Sequence, residues 1–245
     1  MRVLLLLTLL ALTACSGQGR PPLASGLTLR VADAALANGA PAMALQVARG
    51  ILAKNPRDVG ALVHEGDALY ALERNEEAAR VYERALAIQP NSIPARLGVG
   101  RMRLRADPAG AEAMFRAVVA KNRLNAAALN DLGIALDLQG QHAAAQGAYT
   151  EALAASPEMS AAQINLGFSL ALSGDSTRAV DILRPIAASP SATPRIRENL
   201  ALALVVAGHS DDARKVLRLD LSETQTTDAL AGYERLRQVA PTHVN

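Results

Sequence analysis

Apolar and small residues recur along this chain at helical spacing, and the recurrence itself repeats. Between Ala126 and Met159, Leu129, Leu132, Gly133 and Leu136 mark one face of a first helix, and Ala145, Tyr149 and Ala152 mark one face of a second. Residues three and four apart lie on one side of a helix, so each stretch predicts an amphipathic helix with its apolar side covered. Pro157 follows the second helix, which a proline ring cannot continue. The pattern then returns at a fixed interval. Gly66, Gly100, Gly133 and Gly167 are spaced 34, 33 and 34 apart, and Ala78, Ala111, Ala145, Ala179 and Ala213 step by 33, 34, 34 and 34. The bulky series Tyr82, Phe115, Tyr149, Leu183 and Leu217 steps identically. Gly140, Gly174 and Gly208 are each 34 apart, and Pro56, Pro90 and Pro157 differ by 34 and by 67.

Five series locked to one period predict an all-α chain of stacked helix-turn-helix units. Gly133 and Ala145 leave room for the two helices of a unit to cross closely, and Tyr149 is expected to fill the hole beside the next unit. Gly140, Gly174 and Gly208 sit where a first helix ends and the chain needs a left-handed residue. This spacing resembles the tetratricopeptide repeat, a 34-residue helix-turn-helix unit whose stacked copies form a solenoid. The resemblance implies about six copies over residues 25–227, at 25–58, 59–92, 93–125, 126–159, 160–193 and 194–227. The third is one residue short, most simply near Asp107-Pro108. The end copies are degenerate, with Ala32 and Ala201 at the glycine position and Ala48 at the bulky one. Residues 228–245 hold a further amphipathic stretch, with Leu230, Tyr233, Leu236 and Val239, read as a capping helix and tail.

Composition narrows the picture. Half the residues are hydrophobic while Trp is absent and Tyr and Phe total six, so the core must be small-residue packing between helices. The formal charge is +2, or about +1 without Arg2, which argues against a nucleic-acid binder held by phosphate contacts. One cysteine excludes an intramolecular disulfide.

That cysteine follows a charged start at Arg2 and an apolar run from Val3 to Leu12 that is interrupted only by Thr8. The run is too short to span a bilayer, which takes about 20 apolar residues, and has the form of an export signal. Leu12-Thr13-Ala14-Cys15 resembles the bacterial lipobox. The resemblance implies that residues 1–14 are removed and that the Cys15 thiol carries diacylglycerol. Two or three acyl chains anchor a protein stably where one does not. Ser16 after the cysteine goes, in the resembling proteins, with the outer membrane. Residues 15–24, with Pro21-Pro22, then read as a lipidated tether.

The chain carries no constellation expected to be catalytic and no expected cofactor or metal site. The histidines are scattered: His64 on a first helix, His142 and His209 by turns, His243 in the tail. Glu76-Glu77 and Asp211-Asp212 open second helices, where a carboxylate favours the positive helix end. Arg96, Arg101, Arg103 and Arg105 form the one local charge excess; Arg101 and Arg105 are four apart and expected on one helix face, a basic spot for a partner carboxylate or a solvated face. In the resembling family, positions 2, 5, 9, 12 and 13 of each first helix line a concave groove. They bring Asn130, Ile134, Asp137 and Leu138, then Ile164, Phe168, Ala171 and Leu172, then Leu202, Val205 and Val206. Asn165 and Asn199 lie one residue beyond position 5, where an amide could bond a bound backbone. Such a wall suits a protein segment, unless some of these residues pack under the capping helix.

The C-terminal pattern, Arg197-Glu198-Asn199-Leu200-Ala201-Leu202-Ala203-Leu204, Gly208, Asp212-Ala213-Arg214, Leu219-Asp220-Leu221 and Tyr233-Glu234-Arg235-Leu236, resembles the tight-adherence (Flp) pilus-assembly lipoproteins. That resemblance implies a non-enzymatic scaffold on the periplasmic face of the outer membrane that escorts a pilus secretin. Another pilotin or a general envelope-assembly scaffold is the alternative.

Overall fold

A computed structural model describes residues 23–239, and among them every regular element is an α-helix. Helices pair in chain order: α1 (Leu23–Ala37) with α2 (Pro41–Leu52), α3 (Val59–Ala71) with α4 (Asn75–Ile88), α5 (Ile93–Arg103) with α6 (Pro108–Lys121), and α7 (Ala126–Asp137) with α8 (His142–Ala155). Next come α9 (Ser160–Leu172) with α10 (Ser176–Ala187), α11 (Pro194–Val206) with α12 (Ser210–Leu217), and a last helix α13 (Glu223–Val239). Odd helices touch the next odd helix from α1 through α13, whereas the even helices do not touch one another. The odd helices therefore form an inner wall and the even ones an outer layer, as in a solenoid.

The glycine and aromatic series meet at the layer junction. A Cβ placed on Gly133 would lie 2.7 Å from ring carbons of Tyr149, and one on Gly167 would lie 2.6 Å from Leu183. Phe115 crowds Gly100 in the same way. Tyr149 thus fills the gap in its own pair, and Tyr82 lies against both Gly66 and the following Gly98. The alanines at 78, 111, 145, 179 and 213 are fully buried, which lets paired backbones approach. Each buried tyrosine hydroxyl keeps a partner: Tyr82 donates to Asp67 at 2.6 Å and Tyr149 to Asp137 at 2.9 Å. A buried hydroxyl without one would cost about 1–3 kcal/mol.

The turns separate regular from irregular copies. Gly140, Gly174 and Gly208 have φ of +71°, +90° and +83°, and Glu73 occupies the same slot at +59°. Around three of these, a backbone N–H five residues on reaches back over the turn: Arg74 to Leu69, Gln141 to Leu136 and His209 to Leu204. This six-to-one bond is the Schellman closure, and it requires a left-handed residue. Between α5 and α6 it is replaced by a shorter bond from the Asp107 N–H to the Arg103 carbonyl, 2.8 Å, with no left-handed residue. The missing residue of the 33-residue copy is thus absorbed where α5 ends. Asp107 then caps α6 by accepting from the Gly110 N–H, as Asp58 and Asn125 cap α3 and α7.

Both ends depart from the even frame. The first helix begins at Leu23, inside the stretch expected as a tether. At the other end α12 stops at Leu217 after eight residues and α13 opens at Glu223, five residues before the expected capping helix. The intervening turn is held by Arg197, whose guanidinium donates twice to Asp220 at 2.5 and 2.6 Å, and by Arg214 and Arg218 on Glu223. From there α13 packs on α11, burying Leu230, with Ser210 donating to Glu234 at 2.6 Å. No described helix is long and apolar enough to cross a membrane. Cys15 and the leader lie outside the described residues.

Candidate partner-binding groove

The inner wall encloses a concavity of about 720 Å3 that runs from Tyr70 on α3 to Tyr233 on α13. Leu104, Ile134, Ile164, Phe168 and Leu202 supply its apolar lining, with Asn165, Arg195, Glu198 and Asn199 as polar points. All the helical residues that line it belong to odd helices, which places it on the concave side. Of the eight groove residues expected from the register, Ile134, Ile164, Asn165, Phe168, Asn199 and Leu202 meet in this one space. Leu202 is only 4% exposed, so it forms floor rather than a free anchor.

Two expected residues do not face the concavity. Asn130 is buried and accepts a hydrogen bond from the Asn165 amide at 2.9 Å, so its amide joins α7 to α9. Val205 is fully buried, because α13 lies on α11 and Arg237 reaches the Val205 carbonyl at 3.4 Å. Ala171 is likewise buried. Asp137 is occupied too: it accepts from Tyr149 and, at 2.7 Å, from Ser169 of α9, and His142 Nδ1 lies 2.8 Å from it. Tyr70, Leu104, Ile196 and Tyr233 line the space without having been expected. Tyr70 and Leu104 hold position 12 of their copies and were within reach of the register. Tyr233 was not, since α13 is no repeat.

Two of the four arginines expected as a basic spot are committed within the array. With α5 ending at Arg103, Arg105 falls in the turn and shares no helix face with Arg101. Arg101 donates to Asp131 of α7 at 2.8 Å, and the Asp131 side chain is only 4% exposed. Burial holds the Asp131 carboxyl above the usual carboxylate range, and the Arg101 charge offsets only part of that rise. Arg96 is spent on the Pro90 carbonyl and Asn91.

A further cross-link ties the first helix to the array. His64 places Nδ1 2.8 Å from the Gly60 carbonyl and Nε2 2.7 Å from Asp33 of α1. Both partners are acceptors, so both bonds form together only when the imidazole carries its second proton. Burial opposes that charge, but the Gly60 carbonyl and the Asp33 carboxylate outweigh it and raise the pKa above the ordinary 6.5. A raised folded pKa means that the stabilisation is complete below the unfolded value and is lost as pH rises through the folded one. Hydrogen exchange in α1 should therefore quicken across that rise, and His64→Gln should flatten the pH dependence.

Among the described residues no group of three or more His, Cys, Asp or Glu could hold a metal ion. The tetratricopeptide-repeat family matches at residues 29–93, 105–145 and 139–193, more than half of the chain. A comparison with curated proteins returns no match. Among solved structures, a thermophilic tetratricopeptide-repeat protein of Thermus thermophilus is 22% identical, with a TM-score of 0.60 over 71% of this chain and 98% of its own. PilW, described as a widely conserved type IV pilus biogenesis factor, is 19% identical, with a TM-score of 0.68 over 84% of this chain and 98% of its own. A chain of the APC/C hetero-tetramer Cut9–Hcn1 gives 0.72 at 16% identity, over 85% of this chain and 42% of its own. Repeats of this type are generally protein-binding scaffolds rather than catalysts. With the glycine-aromatic junctions, the two-layered stack and the family match agreeing, the chain belongs to the tetratricopeptide-repeat family.

Proposed function

We propose that this protein is a lipid-anchored, non-enzymatic scaffold on the periplasmic face of the outer membrane, of the TadD type. In this reading it holds an apolar segment of a pilus secretin in its concavity during assembly of a tight-adherence (Flp) pilus. One observation carries the binding role. Of six aromatic residues, Tyr82, Phe115 and Tyr149 fill the gaps opposite glycines, and Tyr70, Phe168 and Tyr233 all line the concavity. Tyr70 is 45% exposed, a large unpartnered surface of the sort that anchors interfaces. The anchor rests on Leu12-Thr13-Ala14-Cys15 and the pilus assignment on the C-terminal pattern; sharing a fold with a type IV pilus biogenesis factor is in keeping with it.

Truncating a well-placed anchor commonly costs ~2 kcal/mol of binding, about thirtyfold. Phe168→Ala combined with Ile134→Ala should leave folding nearly intact yet release the secretin from envelope pull-downs. Leu202 is unsuited to this test, because truncating a buried leucine costs about 2–5 kcal/mol of fold stability. Retention of the secretin by the double variant would contradict the groove mechanism. Separately, Cys15→Ser should abolish palmitate labelling and leave the leader uncut by the lipoprotein peptidase. A wild-type protein that takes up no palmitate would contradict the anchor.

A further inference from the structure

The polar groups of the concavity differ in how far their bonding capacity is used. Asn165 commits its amide N–H to Asn130, which leaves its own side-chain oxygen as an acceptor. The nearby Arg197 is committed to Asp220 and to the Ala192 carbonyl. Glu198, half-buried and lining the same space, accepts no side-chain hydrogen bond and makes no ion pair with any described residue. Beside it stands Tyr233, whose phenol is pushed up first by burial and then by the Glu198 charge. Its half-buried ring lines the same space, and an aromatic ring is a surface of the kind that attracts a cation.

A half-buried, unpaired carboxylate that shares an apolar trough with a tyrosine and an unused amide oxygen is complementary to a cation on an apolar stem. Arg195, three residues earlier on the same helix, also lines the space, but it makes no ion pair with Glu198 and, being exposed, offsets that charge only weakly. We propose that the segment held in the concavity is an apolar stretch carrying a lysine or arginine, whose charge is received by Glu198 and Tyr233. This rests on the reading of the concavity as a protein-binding groove and adds the charge that its occupant must bring.

The test uses the purified protein and a displayed library of random peptides, with selected sequences resynthesised and their affinities measured. Selected peptides should combine apolar residues with one Lys or Arg, and all should weaken on Phe168→Ala. Replacing that basic residue by Gln should lower affinity about tenfold for the wild-type protein and hardly at all for Glu198→Gln. Glu198→Lys should turn the selection toward acidic peptides. Peptides that need Phe168 but carry no basic residue, or whose basic residue matters equally with Glu198→Gln, would overturn the charge assignment and leave the groove standing. Selection of acidic peptides that lose affinity with Arg195→Gln would likewise overturn it. If no Phe168-dependent peptide emerges, the groove reading falls and this inference with it.

Discussion

Arg101→Met is expected to destabilise the array by about 3–5 kcal/mol, the usual cost of removing one partner of a buried ion pair. The methionine replaces the aliphatic stem but leaves the Asp131 carboxylate, which is 4% exposed, without its cation. Because the pair joins α5 to α7, the loss falls on the contact between successive units rather than within one. Unfolding in urea should show the full cost in the single variant. Adding Asp131→Asn should recover part of it, since a neutral amide removes the buried charge. If Arg101→Met unfolds at the wild-type urea concentration, the pair is not holding the wall together.

Gly133→Leu is the second large effect, at about 3 kcal/mol. Even the first carbon of the new side chain would lie 2.7 Å from Tyr149 ring carbons, well inside ordinary contact. Tyr149 cannot yield by rotating, because its hydroxyl is fixed on Asp137 and the ring is buried. The helices must separate instead. In a Tyr149→Ala background the same substitution should cost markedly less, and this coupling distinguishes a steric cause from a change in helix propensity.

These two sites mark what the sequence could and could not disclose. Gly133 and Tyr149 were legible, because a contact repeated in four successive units writes itself into the spacing. Arg101 and Asp131 were not, since one ion pair between neighbouring copies leaves no periodic trace, and the arginines looked instead like a local excess. The groove shows the same division. Position 12 of the repeat is open at Tyr70, 45% exposed, and closed at Val205, fully buried, though the register treats them alike. What differs is the neighbour: α13 lies on α11, and where a non-repeating helix begins cannot be read by extending a period. The sequence placed that helix at 228, while the chain turns after the short α12 and starts it at Glu223. Expectations copied from unit to unit held for the glycine-aromatic junctions and gave way where a residue meets a neighbour that the repeat does not specify, at Asn130 and Ala171 in the array and at α13 beyond it.

The central claim is that the concave wall, and not the outer layer, meets the partner. A photoreactive amino acid placed at Phe168 in living cells tests it most directly, with the same residue at Arg178 on α10 as the outer-layer control. The account predicts light-dependent adducts from position 168 that contain the pilus secretin, and none from position 178. Secretin adducts from 178 alone would contradict it.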